Sequence, residues 1–288
     1  MKIKIPDTFM GRPIKGAMEK LLAGSPGTPP QGDPLPPSNP PSDLSEPEKY
    51  LQLPEGKYGN YDYPNLFISL HRLPYTPQVE QIGQNHGWAL AHSAKEYEGT
   101  GPEFVGNMNF EEAIMLNKEA GNATLSPVLY REFLKLVKEG IDGKVVYDGT
   151  GNHLQKDRLI QVFNEITEVR APYRAEWIDA KFSKQGRKMR MTYPIFKNNA
   201  WEYATEELEG HLKRNKTPGI SLESWLKKAS PHGLPLTKFT KGELYYWAPV
   251  DGDVAGFWAD SGWADFGCYG GPSYRNGGLG VRAVSPKI

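Results

Sequence analysis

The chain has 288 residues, enough to bury a substantial core as one large domain or two smaller ones. Its 34 Lys and Arg equal its 34 Asp and Glu, so no overall field favours DNA, RNA or an anionic membrane. The single cysteine, Cys268, excludes an intramolecular disulfide, a cysteine-based zinc site and a CxxC redox pair, and is expected to be a small buried filler.

Residues Met1 to Pro6 lack the continuous apolar stretch of a secretory signal, and no segment approaches the ~20 apolar residues of a membrane span. The expectation is a soluble protein with no membrane insertion, reaching an outside surface by assembly into a particle. Arg12 to Leu22 predicts a short amphipathic helix through Ile14, Met18, Leu21 and Leu22. Gly24 to Pro54 carries the doublets Pro29-Pro30, Pro36-Pro37 and Pro40-Pro41 among Gly, Ser, Asn and Asp. Proline removes backbone donors and biases toward extended chain, so residues 1–54 read as an arm and 55–288 as the domain.

Leu66 to Leu70 predicts a buried strand. Asn109-Phe110-Glu111-Glu112 has the pattern of a capped helix start, followed by Ala113, Ile114, Leu116 and Ala120 and stopped by Gly121. Ser126-Pro127 opens a second helix, with Leu129, Phe133, Leu134, Leu136 and Val137 on its apolar side. A third is predicted over Leu154 to Val169, a fourth over Tyr173 to Phe182, and a short fifth over Ser221 to Lys228. The basic run Lys181 to Arg190 is expected to be a solvated turn or helix face. Beyond Leu244 the texture changes to short strands, Leu244 to Ala248 and Leu279 to Val284, separated by Gly-rich chain. The fold class is α+β, with short antiparallel strands, several helices and much irregular loop.

Between those last strands, Gly256 to Gly278 interleaves Trp and Tyr with Gly, Ser, Asp and Asn. This matches neither helical nor alternating periodicity and is expected to be loop. Wide, stiff aromatics beside adaptable small polar residues are the composition of a recognition surface. Catalytic patterns are weak, with His86 and His92-Ser93 as the only candidate base and nucleophile. His86 and His92 are not at the spacing of a helical zinc pair, and Gly149-Thr150-Gly151-Asn152 has no following Gly-Lys-Ser/Thr. His92-Ser93 and the pairs Glu111-Glu112 and Glu206-Glu207 are expected to be structural or solvated. No enzyme activity, cofactor or metal is expected.

Arg170-Ala171-Pro172-Tyr173-Arg174-Ala175-Glu176-Trp177 resembles a helix start of formylglycine-generating-enzyme-like domains, a branch of the C-type lectin fold. Leu279-Gly280-Val281-Arg282 is similar to the strand that closes those domains. Arg170 and Arg282 are suited to fix irregular backbone through carboxylates or carbonyls. The enzymes of that family use active-site cysteines that this chain lacks, so their oxidase activity is not implied. Calcium-lectin motifs are also missing, which disfavours sugar binding. Within the superfamily the chain resembles the variable proteins of diversity-generating retroelements. Their C-terminal region is rewritten at template adenines, turning Asn codons into Tyr, Ser, Asp, Gly and similar residues.

That resemblance implies a C-type-lectin-like domain whose variable region, about 257–278, contacts a protein or cell-surface receptor. Trp258, Trp263, Tyr269 and Tyr274 are the expected anchors, with Asp260, Asp265, Ser273 and Asn276 as polar partners. It further implies display on a virion or cell surface, with the N-terminal arm as attachment and no nucleic-acid partner. The alternatives are a formylglycine-generating-enzyme-like enzyme of another activity and a structural virion protein.

Overall fold

The computed structural model describes residues 46–93, 104–209, 219–236 and 242–286, together with the backbone of residues 8–9 and 12–13. The chain divides into two units, Met1–Pro34 and Leu35–Ile288. In the first, β1 (Thr8–Phe9) pairs antiparallel with β2 (Arg12–Pro13). The helix expected over Arg12 to Leu22 therefore does not start at Arg12, and its residues 14–22 lie outside the described residues. So does most of the expected proline-rich arm, residues 14–45.

The described part of the second unit opens with a 3-10 turn at Pro47–Lys49 and strand β3 (Tyr50–Leu53). Leu51 and Leu53 are buried, so this end of the expected arm belongs to the domain, and the boundary lies before residue 54. The prolines at 47 and 54 bracket the strand rather than interrupt it, a placement compatible with sheet pairing. A small hairpin, β4 (Gly56–Tyr58) and β5 (Tyr61–Tyr63), leads to β6 (Leu66–Ser69), which pairs with β3.

Helix α1 (Pro77–His86) was not expected, because only Val79 and Ile82 mark its apolar side. Its ends are nonetheless well specified. Thr76 caps Val79 N–H, Pro77 occupies the first turn, and Gly87 closes the helix in the left-handed region at φ 69°. After β7 (Ala91–His92) and β8 (Val105–Gly106), α2 (Phe110–Glu119) begins with the reciprocal Asn109–Glu112 capping box anticipated from sequence. Strand β9 (Ala123–Thr124), α3 (Pro127–Ile141), capped by Ser126, and α4 (Lys156–Thr167) follow.

The main sheet starts where the sequence suggested a fourth helix. Arg174–Gln185 is the long strand β10, so the resemblance to a helix start at Arg170 to Trp177 is not realised as a helix. Its Ala, Glu, Lys and Arg content favours helix weakly, and burial of both faces over Arg174 to Ala180 erases the alternation that betrays a strand. Tertiary pairing overrides that preference. β10 forms a hairpin with β11 (Lys188–Lys197), turning at Gly186, and β11 pairs with β12 (Ala200–Glu207). The basic run Lys181 to Arg190 is thus the tip of this hairpin.

After α5 (Leu222–Lys227) come β13 (Leu244–Trp247), β14 (Val254–Ala259), β15 (Ala264–Gly270), β16 (Leu279–Val281) and β17 (Ala283–Pro286). The strand order is β12-β11-β10-β14-β15-β13, with β16 also pairing β10. A second sheet runs β3-β6-β17-β9. The mixed α+β class holds. Much of the segment expected as loop, Gly256 to Gly278, is instead two central strands, β14 and β15.

Two cores flank the main sheet. On one side Tyr246, Phe257, Phe266 and Cys268 pack with Leu129 and Phe133 of α3 and Val162 of α4. On the other, Trp177, Val254, Leu279 and Val281 pack with α1 and α2. Buried ion pairs tie the sheets together. Arg282, 1% exposed, grips Glu176 through both carboxylate oxygens and donates to Ser69 O at 2.8 Å. Arg72 bonds Glu165 at 3.0 Å and Gly278 O at 3.0 Å. Arg282 thus has the bracing role expected of it. The matching role expected of Arg170 belongs chiefly to Arg174, whose guanidinium donates to the carbonyls of Glu165, Glu168, Arg170 and Pro172.

Candidate binding surface

The register of the main sheet fixes which side chains share its outer face. Tyr245 is level with Asp265, Asp265 with Trp258, and Trp258 with Ala175. In the adjoining row Trp247 is level with Gly267, Gly267 with Gly256, and Gly256 with Trp177. The second row is a trough, because two of its four positions carry no side chain. A Cβ at Gly267 would lie 2.5 Å from Trp258 Cζ3 and 2.8 Å from Tyr269 Cε1, and one at Gly256 would lie 2.7 Å from the same indole. The two glycines therefore let the Trp258 ring settle against the sheet backbone.

A run of rings leads from the core to the surface. Buried Trp177 meets Trp258 edge-on at 6.2 Å, Trp258 meets Tyr269 at 6.0 Å, and Tyr269 meets Trp247 at 5.3 Å. Beside it, Tyr245 and Trp263 lie 5.8 Å apart. Trp263, Tyr269 and Tyr274 are exposed at 44%, 43% and 47%, while Trp258 is half-buried. Exposed rings anchored to buried ones are stiff, and stiffness lowers the entropy lost when a partner docks.

The expected polar partners are arranged differently from the expectation. Asp260 accepts from Gly262 N–H at 2.6 Å and Trp263 N–H at 3.1 Å, so it builds the β14–β15 turn. Asn276 accepts from Gly278 N–H at 2.8 Å and holds the following loop. Asp265 is not displayed but buried, 2% exposed, with Oδ2 accepting from Trp263 Nε1 at 2.9 Å. Its Oδ1 is buried with no hydrogen-bond partner among the described residues. Burial pushes the Asp265 carboxyl up to about 7, opposed by the Trp263 bond and reinforced by Asp260. Ser273 alone of the four is exposed without a hydrogen bond among the described residues.

Tyr274 and Asn276 sit on a loop strapped to the start of α2. Pro272 O accepts from Phe110 N–H at 3.0 Å, Asn276 O accepts from Asn107 N–H at 2.9 Å, and Arg275 pairs with Glu112. Near Tyr274, the hydroxyl pKa of Tyr173 is raised by burial and then by Tyr274. Three contributors were missed from sequence: Tyr173, Tyr245 and Trp247. The signal existed for the last two. In Leu244-Tyr245-Tyr246-Trp247 the first and third residues are buried and the second and fourth are half-buried on the outer face.

Groups elsewhere are engaged structurally. Cys268 is buried with its thiol pKa raised well above normal by burial, so thiolate chemistry is unfavourable there. His86 pairs with Glu119 at 2.7 Å, His92 stacks on Tyr75, and Ser93 donates to Gly277 O. His232 lies between Glu206, at 2.9 Å, and Glu209, at 3.1 Å. Among the described residues no group of three or more His, Cys, Asp or Glu is placed to hold a metal ion, and no helix is long and apolar enough to cross a membrane.

No protein-family model, curated protein or solved structure matches the chain.

Proposed function

We propose that the protein is a non-enzymatic binding protein that presents the outer aromatic face of its main sheet to a protein or cell-surface receptor. The observation that carries this reading is the set of exposed rings Trp263, Tyr269 and Tyr274 in one segment, with Tyr269 beside Trp258 on the glycine-floored trough and Trp263 beside Tyr245. Aromatic anchors in a stiff setting are where binding energy concentrates at interfaces. A C-type-lectin-like scaffold of the retroelement variable class is the fold reading proposed with it. Supporting that reading are the closing strands Leu279–Val281 and Ala283–Pro286 and the position of residues 257–278 just before them. In this reading the chain preceding β3 attaches the domain to a virion or cell-surface assembly.

Two tests separate the parts of the proposal. Peptides selected from a random display library on the purified protein should lose affinity for the Trp263→Ala/Tyr269→Ala variant by about a hundredfold, as expected for two anchors. They should bind a Tyr147→Ala control, changed at an exposed ring that packs on His153, as well as the parent. Peptides indifferent to the double substitution would remove the binding reading. The retroelement reading requires a near-identical repeat of the Phe257 to Arg282 coding segment nearby, differing at adenines, beside a reverse transcriptase gene. A complete source genome with neither refutes it and leaves the binding surface intact.

A further inference from the structure

The chain is neutral overall, but the segment that builds the outer face is not. From Glu243 through Tyr274 it contains five carboxylates, Glu243, Asp251, Asp253, Asp260 and Asp265, and no Lys, Arg or His; the next residue, Arg275, is paired with Glu112. Asp260 accepts the N–H groups of Gly262 and Trp263 at the turn that carries Trp263, whereas Glu243 is held by Leu222 N–H at the start of α5 and Asp251 by Lys184 N–H at the β10–β11 hairpin. Two polar atoms within it are buried without a partner among the described residues: the acceptor Asp265 Oδ1 and the donor Trp247 Nε1. A buried polar atom left unpaired costs free energy, which a ligand of matching polarity recovers. The rings above them present negative π faces, which attract cations.

One ligand chemistry answers all three features. A guanidinium is cationic, stacks flat on aromatic rings, and carries N–H donors at its edge, whereas a quaternary ammonium brings no donor for Asp265. The adjoining Trp247 N–H suits a backbone carbonyl, which points to a peptide rather than a small cation. Building on the binding-surface reading, we propose that the aromatic face binds an arginine side chain of a protein partner. The guanidinium stacks on Trp263 and Tyr269, Asp265 beneath them is its counter-charge, and Trp247 Nε1 donates to a carbonyl of the same partner. Because Asp265 Oδ1 and Trp247 Nε1 are both buried, contact with them requires the rings above to shift, Trp263 swinging off Asp265 to stack on the guanidinium and Tyr269 yielding beside Trp247; the Trp263 indole is exposed and its N–H makes a single hydrogen bond there.

The test uses the full chain and two acetylated, amidated tripeptides, Gly-Arg-Gly and Gly-citrulline-Gly, titrated to millimolar concentration. Tryptophan fluorescence and amide chemical shifts report binding. Citrulline keeps the shape and most donors of arginine and removes the charge. The arginine peptide is expected to bind about tenfold tighter, and Asp265→Asn, which retains an acceptor for Trp263, to abolish most of that preference. Equal affinities, no binding of either peptide, or a preference that survives in folded Asp265→Asn would overturn the proposal. If Asp265→Asn does not fold, the arginine–citrulline comparison on the parent protein decides alone. Library-selected neutral peptides that shift Trp263 while the arginine peptide does not would reject arginine and keep the binding surface; selected peptides that bind elsewhere would reject the surface itself.

Discussion

Replacing Gly267 with alanine adds one methyl group at the point where the Trp258 and Tyr269 rings rest on the sheet. The new carbon would lie 2.5 Å from Trp258 Cζ3 and 2.8 Å from Tyr269 Cε1, too close for any real contact, so at least one ring must leave its seat. The stability cost is limited because the obstructing atoms are the far ends of side chains, not backbone. Overpacking costs about 1–3 kcal/mol, and the lower end applies where a half-exposed ring can yield. Loss of glycine freedom in the unfolded chain offsets about 0.4–1 kcal/mol of this. The net change is therefore about 0–1 kcal/mol, or a fall in Tm of no more than about 4 °C for a domain of this size. Ring placement, by contrast, is directly altered. Near-ultraviolet circular dichroism should change in the tryptophan region, and selected peptides should bind about tenfold more weakly. Gly271→Ala, where an added Cβ meets nothing within 4 Å, is the matched control and should change neither. Unchanged tryptophan signals and binding in folded Gly267→Ala would refute the glycine-floor account.

Arg282→Met strands Glu176, itself 4% exposed, without its buried counter-charge. Breaking such a pair costs about 3–5 kcal/mol. Tm should therefore fall by about 6–20 °C in a thermal melt. Arg282→Met/Glu176→Met should recover much of the loss, and a double variant no better than the single would contradict the pairing argument. Stability should also depend on pH in two opposed windows. Burial raises Asp179 and Asp265 to about 7 in the fold, so the unfolded chain, with ordinary carboxylates, ionises first, and stability falls as pH rises from about 4 to 7. Around Asp265 the groups that modulate this are Asp260, Trp263, Tyr173 and Tyr269. Asp265→Asn should gain more Tm at pH 8 than at pH 4, and an equal gain at both would contradict the assignment. At the acid end, burial opposes ionisation of Glu165 and Glu206. The His71 bond and Arg72 and Arg282 charges outweigh it at Glu165, as do the Tyr193, Tyr61 and Asn60 bonds at Glu206, holding both below normal. Their contribution is present above the unfolded pKa and disappears as pH falls through the lowered folded values, seen as a drop in Tm below about pH 4.

Local signals were legible in the sequence where they are local in cause. Asn109 with Glu112, and Ser126 before Pro127, specify helix starts through side chains that bond the adjacent backbone, and the structure uses them in that way. Strands buried on both faces carry no such mark. Arg174 to Ala180 reads as helix because its small and charged residues lack alternation, and only pairing with β14 and β16, distant in sequence, makes it a strand. The outer face was legible as composition but not as geometry. Gly256 and Gly267 look like loop residues, yet they are adjacent floor positions on neighbouring strands, a relation that exists only once the register is set. Asp265 likewise reads as a surface carboxylate until Trp263 and the strand partners Tyr245 and Trp258 enclose it.

The most direct test of the binding surface is hydroxyl-radical footprinting of the protein with and without a selected peptide, read residue by residue by mass spectrometry. Trp263, Tyr269 and Tyr274, the exposed rings proposed as anchors, should be protected together on binding, while Tyr147 and Tyr203, exposed elsewhere, should not change. Protection of Tyr147 or Tyr203 with full reactivity retained at Trp263 and Tyr269 would contradict the account.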